Sequence, residues 1–234
     1  MSVSENLSTV RQQIQQICRQ FERENVRLLA VSKTKSIEAI EAAIAAGQTA
    51  FGENYVQEAI EKISYFNQQN KSKRLEWHFI GPLQSNKTRL VAENFDWLQT
   101  LDRLKIAERL NLQRPADLAP LNVLIQINIS DEAYKAGITP QQMMNFAEAI
   151  NALPHLCLRG LMAIPKPAVD IAQQKAVFQQ MQQLFDCLKA EFAQVDTLSM
   201  GMSDDMLSAI ECGSTMVRIG TAIFGVRDYS AKAV

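Results

Sequence analysis

Residues 121–129 read LNVLIQINI, and residues 140–152 follow as PQQMMNFAEAINA. The first is a short, unbroken apolar run, the pattern of a buried strand, while the second spaces its apolar residues as a helix does. A buried strand followed by an amphipathic helix is the building unit of a parallel α/β sheet. The same alternation extends in both directions. Strands are expected over 26–33, 49–52, 77–80, 97–101, 156–164, 197–201 and 215–224, with helices over 36–46, 54–68, 86–93, 103–112, 170–192 and 204–211. That makes eight strands, the first seven each followed by a helix. A leading helix over 4–24 can occupy the place that the eighth strand lacks. The mean spacing of about 29 residues per unit suits an eight-stranded barrel, for which roughly 250 residues are typical. The expected fold is therefore α/β, a (β/α)8 TIM-like barrel with an additional N-terminal helix. An open doubly wound sheet is the alternative, because sequence does not show closure. No linker rich in Pro, Gly or Ser interrupts the chain, so residues 1–234 are expected to form one domain; residues 161–168 (LMAIPKPA) read as a loop around Pro165 and Pro167.

Composition narrows the function. Of the 234 residues, 47% are hydrophobic and 21% charged, enough to build one large globular core. The formal net charge is −1 and the signs are mixed along the chain, which argues against nucleic acid or an anionic membrane as main partner. Cys18, Cys157, Cys187 and Cys212 are widely spaced and only His78 and His155 could join them, so no metal site is expected. Reduced thiols, a polar stretch over residues 1–16 and no apolar run long enough to span a bilayer predict a cytoplasmic protein.

Lys33 ends an apolar strand, in LLAVSKTK. Burial lowers an amine pKa, which a Schiff-base lysine requires; the plain alternative is a side chain that snorkels out at the strand end. Lys35 has the same parity and is an equal candidate by alternation. Near the other end, LSMGMSDD (198–205) follows the seventh strand and RIGTAIFG (218–225) lies on the eighth. The C-terminal ends of strands seven and eight are a frequent phosphate site in such barrels. Ser199 and Thr221 supply hydroxyls there, and Gly201 and Gly220 let backbone amides approach an anion. Ser203, ahead of Asp204 and Asp205, reads equally well as a helix N-cap. Arg218 interrupts an apolar strand, where a guanidinium needs a buried salt bridge or a planar acceptor such as a pyridine nitrogen or a carboxylate. Asn54 could bond a ring hydroxyl or cap the following helix. His78 reads as a satisfied core histidine rather than a base. Neither GxGxxG nor GxxxxGK[ST] occurs, so dinucleotide and P-loop sites are not expected.

LLAVSKTK, FGENYVQE, EWHFIGPLQSNK, LNVLIQINISDE, LRGLMAIP, LSMGMSDDM and GSTMVRIGTAIFG, in order, closely resemble the YggS/PROSC family of pyridoxal phosphate homeostasis proteins. The resemblance runs from about Val26 to Tyr229. It implies the barrel of the alanine racemase N-terminal domain, with pyridoxal 5′-phosphate as cofactor. It further implies a Schiff base on Lys33 rather than Lys35, phosphate contacts from Ser199, Gly220 and Thr221, Arg218 against the pyridine nitrogen, and Asn54 within the cofactor site. The implied role is vitamin B6 homeostasis, indirectly affecting amino-acid and keto-acid balance, with no catalytic residue assigned and no robust activity. A low-activity pyridoxal-phosphate-dependent amino-acid racemase is the alternative. A monomer is expected, with pyridoxal-phosphate-dependent apoenzymes as candidate recipients.

Overall fold

The computed structural model describes residues 2–24, 26–69, 75–130, 136–167 and 170–226. Helix α1 (Val3–Gln20) leads, followed by β1 (Arg27–Val31), α2 (Ile37–Ala45), β2 (Ala50–Glu53), α3 (Val56–Gln68), β3 (Glu76–Phe79) and α4 (Thr88–Asn94). Next come β4 (Trp97–Leu101), α5 (Leu104–Gln113), β5 (Leu121–Gln126), α6 (Met143–Asn151), β6 (Leu156–Met162) and α7 (Ile171–Glu191). The series closes with β7 (Thr197–Ser199), α8 (Met206–Glu211), β8 (Met216–Ile219) and a one-turn helix α9 (Thr221–Phe224). Each strand pairs in parallel with the next, and β1 closes on β8, so the sheet is a barrel rather than an open sheet. Along that seam Leu29 faces Arg218 and Ala30 faces Ile219.

The leading helix fills the gap at this seam. Ser2 and Glu5 form a reciprocal capping box that satisfies two first-turn amides. Leu7, Val10, Ile14 and Ile17, spaced three and four apart, then bury one face against α2, α8 and α9. The main core lies between the strands and the surrounding helices. Inside the barrel two smaller apolar clusters occupy opposite halves, one of Leu29, Ala50, Ile80 and Met216 and the other of Trp97, Leu124 and Met162.

Five expected strands are shorter than their apolar runs; β6 ends at Met162 rather than 164 and β7 at Ser199 rather than 201. β1 stops at Val31, two residues before Lys33: Ser32 gives its amide to Gly52, and the chain then turns, with the Lys35 amide on the Ser32 carbonyl and Thr34 at φ 63°. β5 ends at Gln126, beyond which Ile127 makes only an isolated bridge to Ile138. β8 ends at Ile219, and residues 221–224 are helical, because Gly220 turns the backbone and its carbonyl accepts from Ile223 and Phe224. Residues 163–167 carry no regular structure, as the proline pair predicts, and Ala168 lies outside the described residues.

Candidate functional site

A cavity of about 480 Å³ opens at the C-terminal ends of the strands. Val31, Lys33 and Lys35 reach it from β1 and its turn, Asn54 from beyond β2, and Ser203 and Asp204 from beyond β7. Arg218 on β8, with Gly220, Thr221 and Ala222 after it, completes the chemistry-bearing wall. Five of the six residues that the resemblance assigns to the cofactor site therefore share one cavity: Lys33, Asn54, Arg218, Gly220 and Thr221. A cavity of this volume takes a ligand of small-cofactor size.

The turn carrying Lys33 is clamped from below. Lys62, buried on the core face of α3, directs its ammonium to the Ser32 carbonyl at 2.8 Å, Glu53 Oε1 at 2.8 Å and Glu58 Oε1 at 2.7 Å. Ser32 Oγ donates to the same Glu53 oxygen at 2.6 Å, and the Thr34 amide donates to Glu58 Oε1 at 2.5 Å. Both neighbours of Lys33 are thus tied to one buried ion network, which holds Thr34 in its left-handed conformation. Burial pushes the Glu53 carboxyl upward against the lowering pull of Lys62.

Lys35 has a different task. Its ammonium donates to the carbonyls of Phe224, Gly225 and Val226 at 3.2, 3.0 and 3.0 Å. These are the exposed carbonyls at the end of α9, and three acceptors use all three ammonium protons. The alternation that equates Lys33 with Lys35 fails because a turn, not a strand, separates them.

Arg218 is buried without a carboxylate. Its Nη1 donates to Ser199 Oγ at 2.7 Å and its Nη2 to the Ala163 carbonyl at 3.0 Å. No ion pair to it occurs among the described residues. Desolvation lowers its pKa to about 10, with the charge of Asp205 opposing the shift. The buried salt bridge weighed from sequence is not what holds it: neutral oxygens do, and the residue lines the cavity.

The remaining candidates separate. Ser199 does not line the cavity; it is fully buried, accepts from Arg218 and donates to Gln99 Oε1 at 2.7 Å. Ser203 does line it and does not cap α8, whose N-cap is Asp205. Gly201, at φ 97°, is packed so that an added Cβ would lie 2.5 Å from the Ala209 Cβ, which makes it a tight turn rather than part of the cavity wall. Gly220 matters by close approach: a Cβ there would sit 3.2 Å from the Val31 carbonyl oxygen. Asn54 does not cap α3, whose N-cap is Tyr55, and its buried Oδ1 has no hydrogen-bond partner.

Sequence reading passed over Glu76, Gln99 and Lys62. The signal was present for two of them. Gln99 breaks an apolar strand as Arg218 does, and Lys62 falls on the buried face of α3 beside Ala59, Ile63 and Phe66. His78 is, as expected, a satisfied core histidine, bonded to Glu76 and Gln99 and stacked on Trp97.

A larger groove of about 690 Å³ lies at the opposite end of the barrel, between α1 and the starts of β1 and β2. It collects none of the candidate residues. Three of its arginines are already engaged: Arg11 on Ala46 and Gln48, Arg23 on the Glu211 carbonyl, and Arg27 on Glu76. The chemistry lies in the smaller cavity.

The site is thus a closed barrel with a lysine, a buried arginine that has no carboxylate partner among the described residues, and a Gly-Thr turn at its C-terminal mouth. The family model for the alanine racemase N-terminal domain matches residues 6–228. Pyridoxal phosphate homeostasis protein of Haemophilus influenzae is 64% identical over 236 residues, covering 99% of each chain, and that of Escherichia coli K12 is 58% identical, covering 98% of this chain and 99% of its own. The chain belongs to the YggS/PROSC family of pyridoxal phosphate homeostasis proteins. PipY of Synechococcus elongatus, solved with pyridoxal phosphate bound, is 34% identical with a TM-score of 0.83, covering 96% of this chain and all of its own. Alanine racemase of Corynebacterium glutamicum, 18% identical at TM-score 0.68, covers 97% of this chain and 62% of its own and shares the fold.

Proposed function

We propose that this chain binds pyridoxal 5′-phosphate at the C-terminal mouth of its barrel and acts in vitamin B6 homeostasis as a holder of the cofactor. The observation that carries this reading is Arg218, a buried guanidinium without a carboxylate that lines the same cavity as Lys33. Such a group suits a planar acceptor, and the partnerless Oδ1 of Asn54 suits a hydroxyl donor. The residues fit the cofactor. Its aldehyde supplies a carbon that a primary amine captures as a Schiff base. Lys33 provides that amine, on a turn whose flanking residues are fixed by Lys62, Glu53 and Glu58. Ser203, Thr221 and the first amides of α9 would hold the phosphate, with Gly220 admitting close backbone approach. Arg218 would donate to the ring nitrogen, and a guanidinium there would disfavour protonation of that nitrogen and weaken the ring as an electron sink. The names of the relatives, and the ligand of the PipY structure, support the reading.

In this reading residues 1–234 form one barrel domain, a monomer in the cytoplasm that supplies pyridoxal-phosphate-dependent apoenzymes. No described helix is long and apolar enough to cross a membrane. Titration with pyridoxal phosphate, followed by borohydride reduction and peptide mapping, tests the site. The modification is expected on Lys33; a modified Lys35, or no absorbance change at all, would overturn it. Transfer from the loaded protein to an apoenzyme, faster than from free solution, tests the role.

A further inference from the structure

A single file of side chains crosses the barrel interior from the cavity to the far face. Arg218 Nη1 donates to Ser199 Oγ at 2.7 Å, and Ser199 Oγ donates to Gln99 Oε1 at 2.7 Å. Gln99 Nε2 donates to His78 Nδ1 at 2.9 Å and to the Met216 sulfur at 3.2 Å. His78 Nε2 then lies 2.7 Å from Glu76 Oε1, which also accepts from Arg27 at 2.5 Å. His78, Gln99 and Ser199 are each fully buried. They come from β3, β4 and β7, between the two apolar clusters of the interior.

The directions of these bonds follow from the two ends. A guanidinium can only donate, and a carboxylate can only accept. Ser199 therefore spends its proton on Gln99, which fixes the Gln99 amide with its oxygen toward Ser199 and its nitrogen toward His78. His78 Nδ1 must then accept, leaving its only proton on Nε2 for Glu76. Reversing the Gln99 amide would put the single proton of a neutral His78 on Nδ1 and turn an unprotonated Nε2 toward the Glu76 carboxylate, a cost on the order of 1–3 kcal/mol for each unsatisfied group.

We infer that Glu76, His78, Gln99 and Ser199 form an oriented positioning chain that fixes the Arg218 guanidinium for its ligand. The inference rests on the reading of Arg218 as a cofactor contact but makes a separate claim about the protein alone. None of the four touches the cavity except through Arg218. The chain replaces a partner carboxylate: it presents the guanidinium with a lone pair already polarised toward a distant anion, and so leaves the charge of Arg218 available to the cavity.

Two measurements test it, one on the ligand-free protein and one on binding. The sequence has two histidines, so nitrogen-15 spectra with and without His155→Gln assign His78. His78 is expected as the neutral Nε2–H tautomer at neutral pH, with the Arg218 guanidinium in slow rotation. Gln99→Met, close to isosteric, is expected to release both signatures while the protein stays folded. An Nδ1–H tautomer, or an Arg218 signal unchanged in Gln99→Met, would overturn the chain whether or not the cofactor binds. Equilibrium dialysis with pyridoxal phosphate supplies the second arm. Gln99→Met and Ser199→Ala are each expected to weaken retention about tenfold, with the double variant no weaker than the worse single one, because both break one chain. A multiplicative loss in the double variant would indicate separate structural defects and defeat the proposal. Absence of binding in the unsubstituted protein would instead overturn the cofactor reading, leaving the spectroscopic result to decide the chain.

Discussion

The Lys35 ammonium lies 3.0 Å from the carbonyl oxygen of Gly225, joining the turn after β1 to the end of α9 across the cavity mouth. Lys33, two residues earlier, lines the same cavity as Lys35, whose ammonium is spent on the α9 end. The two lysines are therefore expected to respond differently to loss of their amines. Lys33→Ala should abolish the Schiff-base absorbance with pyridoxal phosphate while the far-UV spectrum is unchanged. Lys35→Ala should keep the absorbance and lose roughly 1 kcal/mol of stability, the usual net worth of partly exposed hydrogen bonds. Denaturant titration and absorbance spectra on the same samples check both; loss of absorbance in Lys35→Ala alone would reverse the assignment.

The network under Lys33 predicts a larger structural effect. Lys62 and Glu53 are both buried, and their contact is 2.8 Å. Lys62→Met should cost about 3–5 kcal/mol, because it leaves a buried carboxylate without its cation. Adding Glu53→Gln to Lys62→Met should recover part of that loss. Urea unfolding of the two variants measures the difference, and equal stabilities would show that Glu53 is not charged in the folded protein.

Phosphate retention separates the serines. Ser203 lines the cavity, whereas Ser199 is sealed behind Arg218. Ser203→Ala and Thr221→Val should each weaken pyridoxal phosphate binding by an amount on the order of 1.5–3 kcal/mol, the range for a hydrogen bond to a charged group. Pyridoxal without phosphate should bind the variants and the parent alike. A Ser203→Ala protein that retains the phosphorylated form unchanged would remove Ser203 from the site.

Acid stability reports on the far end of the barrel. Burial alone would raise the Glu76 carboxyl, but the hydrogen bond from His78 and the Arg27 guanidinium outweigh it and hold its pKa at about 2. A folded pKa below the unfolded one means that the stabilisation is complete above pH 4.5 and is lost as pH falls through about 2. Glu76→Gln should therefore flatten the decline of stability between those values. Burial lowers the His78 pKa, so the unfolded chain binds a proton there that the fold disfavours, and stability also declines with acidity below the ordinary value of 6.5, in addition to the part due to Glu76. Urea midpoints measured across the acid range give the answer; an unchanged slope would mean that Glu76 is not anionic in the fold.

Much of this molecule was legible locally. Alternating apolar runs and amphipathic helices specify eight strand–helix units, because burial of a strand or a helix face is written at short period along the chain. Lys33, Arg218, Gly220 and Thr221 stood out for a related reason: a charge or a glycine at the end of an apolar run has a visible local cost. Element ends were less legible. The hydrophobic runs over 26–33 and 215–224 continue past the last ladder bond, and only the turns at Thr34 and Gly220 end the strands.

The distinctions within the site belong to tertiary structure. Lys33 and Lys35 are equivalent by pattern, and what separates them is a contact between residues 190 apart in sequence. Ser199 and Ser203 are equivalent hydroxyls until Gln99, 100 positions away from Ser199, takes the proton of one. Asn54 reads equally as a helix cap or as a ligand contact until the helix is seen to begin at a different residue. The sequence by itself determined the strand–helix alternation and the residue types at the strand ends. Which amine is spent on the α9 carbonyls, which hydroxyl faces the cavity and which amide oxygen lacks a partner was decided by closure, since each depends on the groups that folding brings to it.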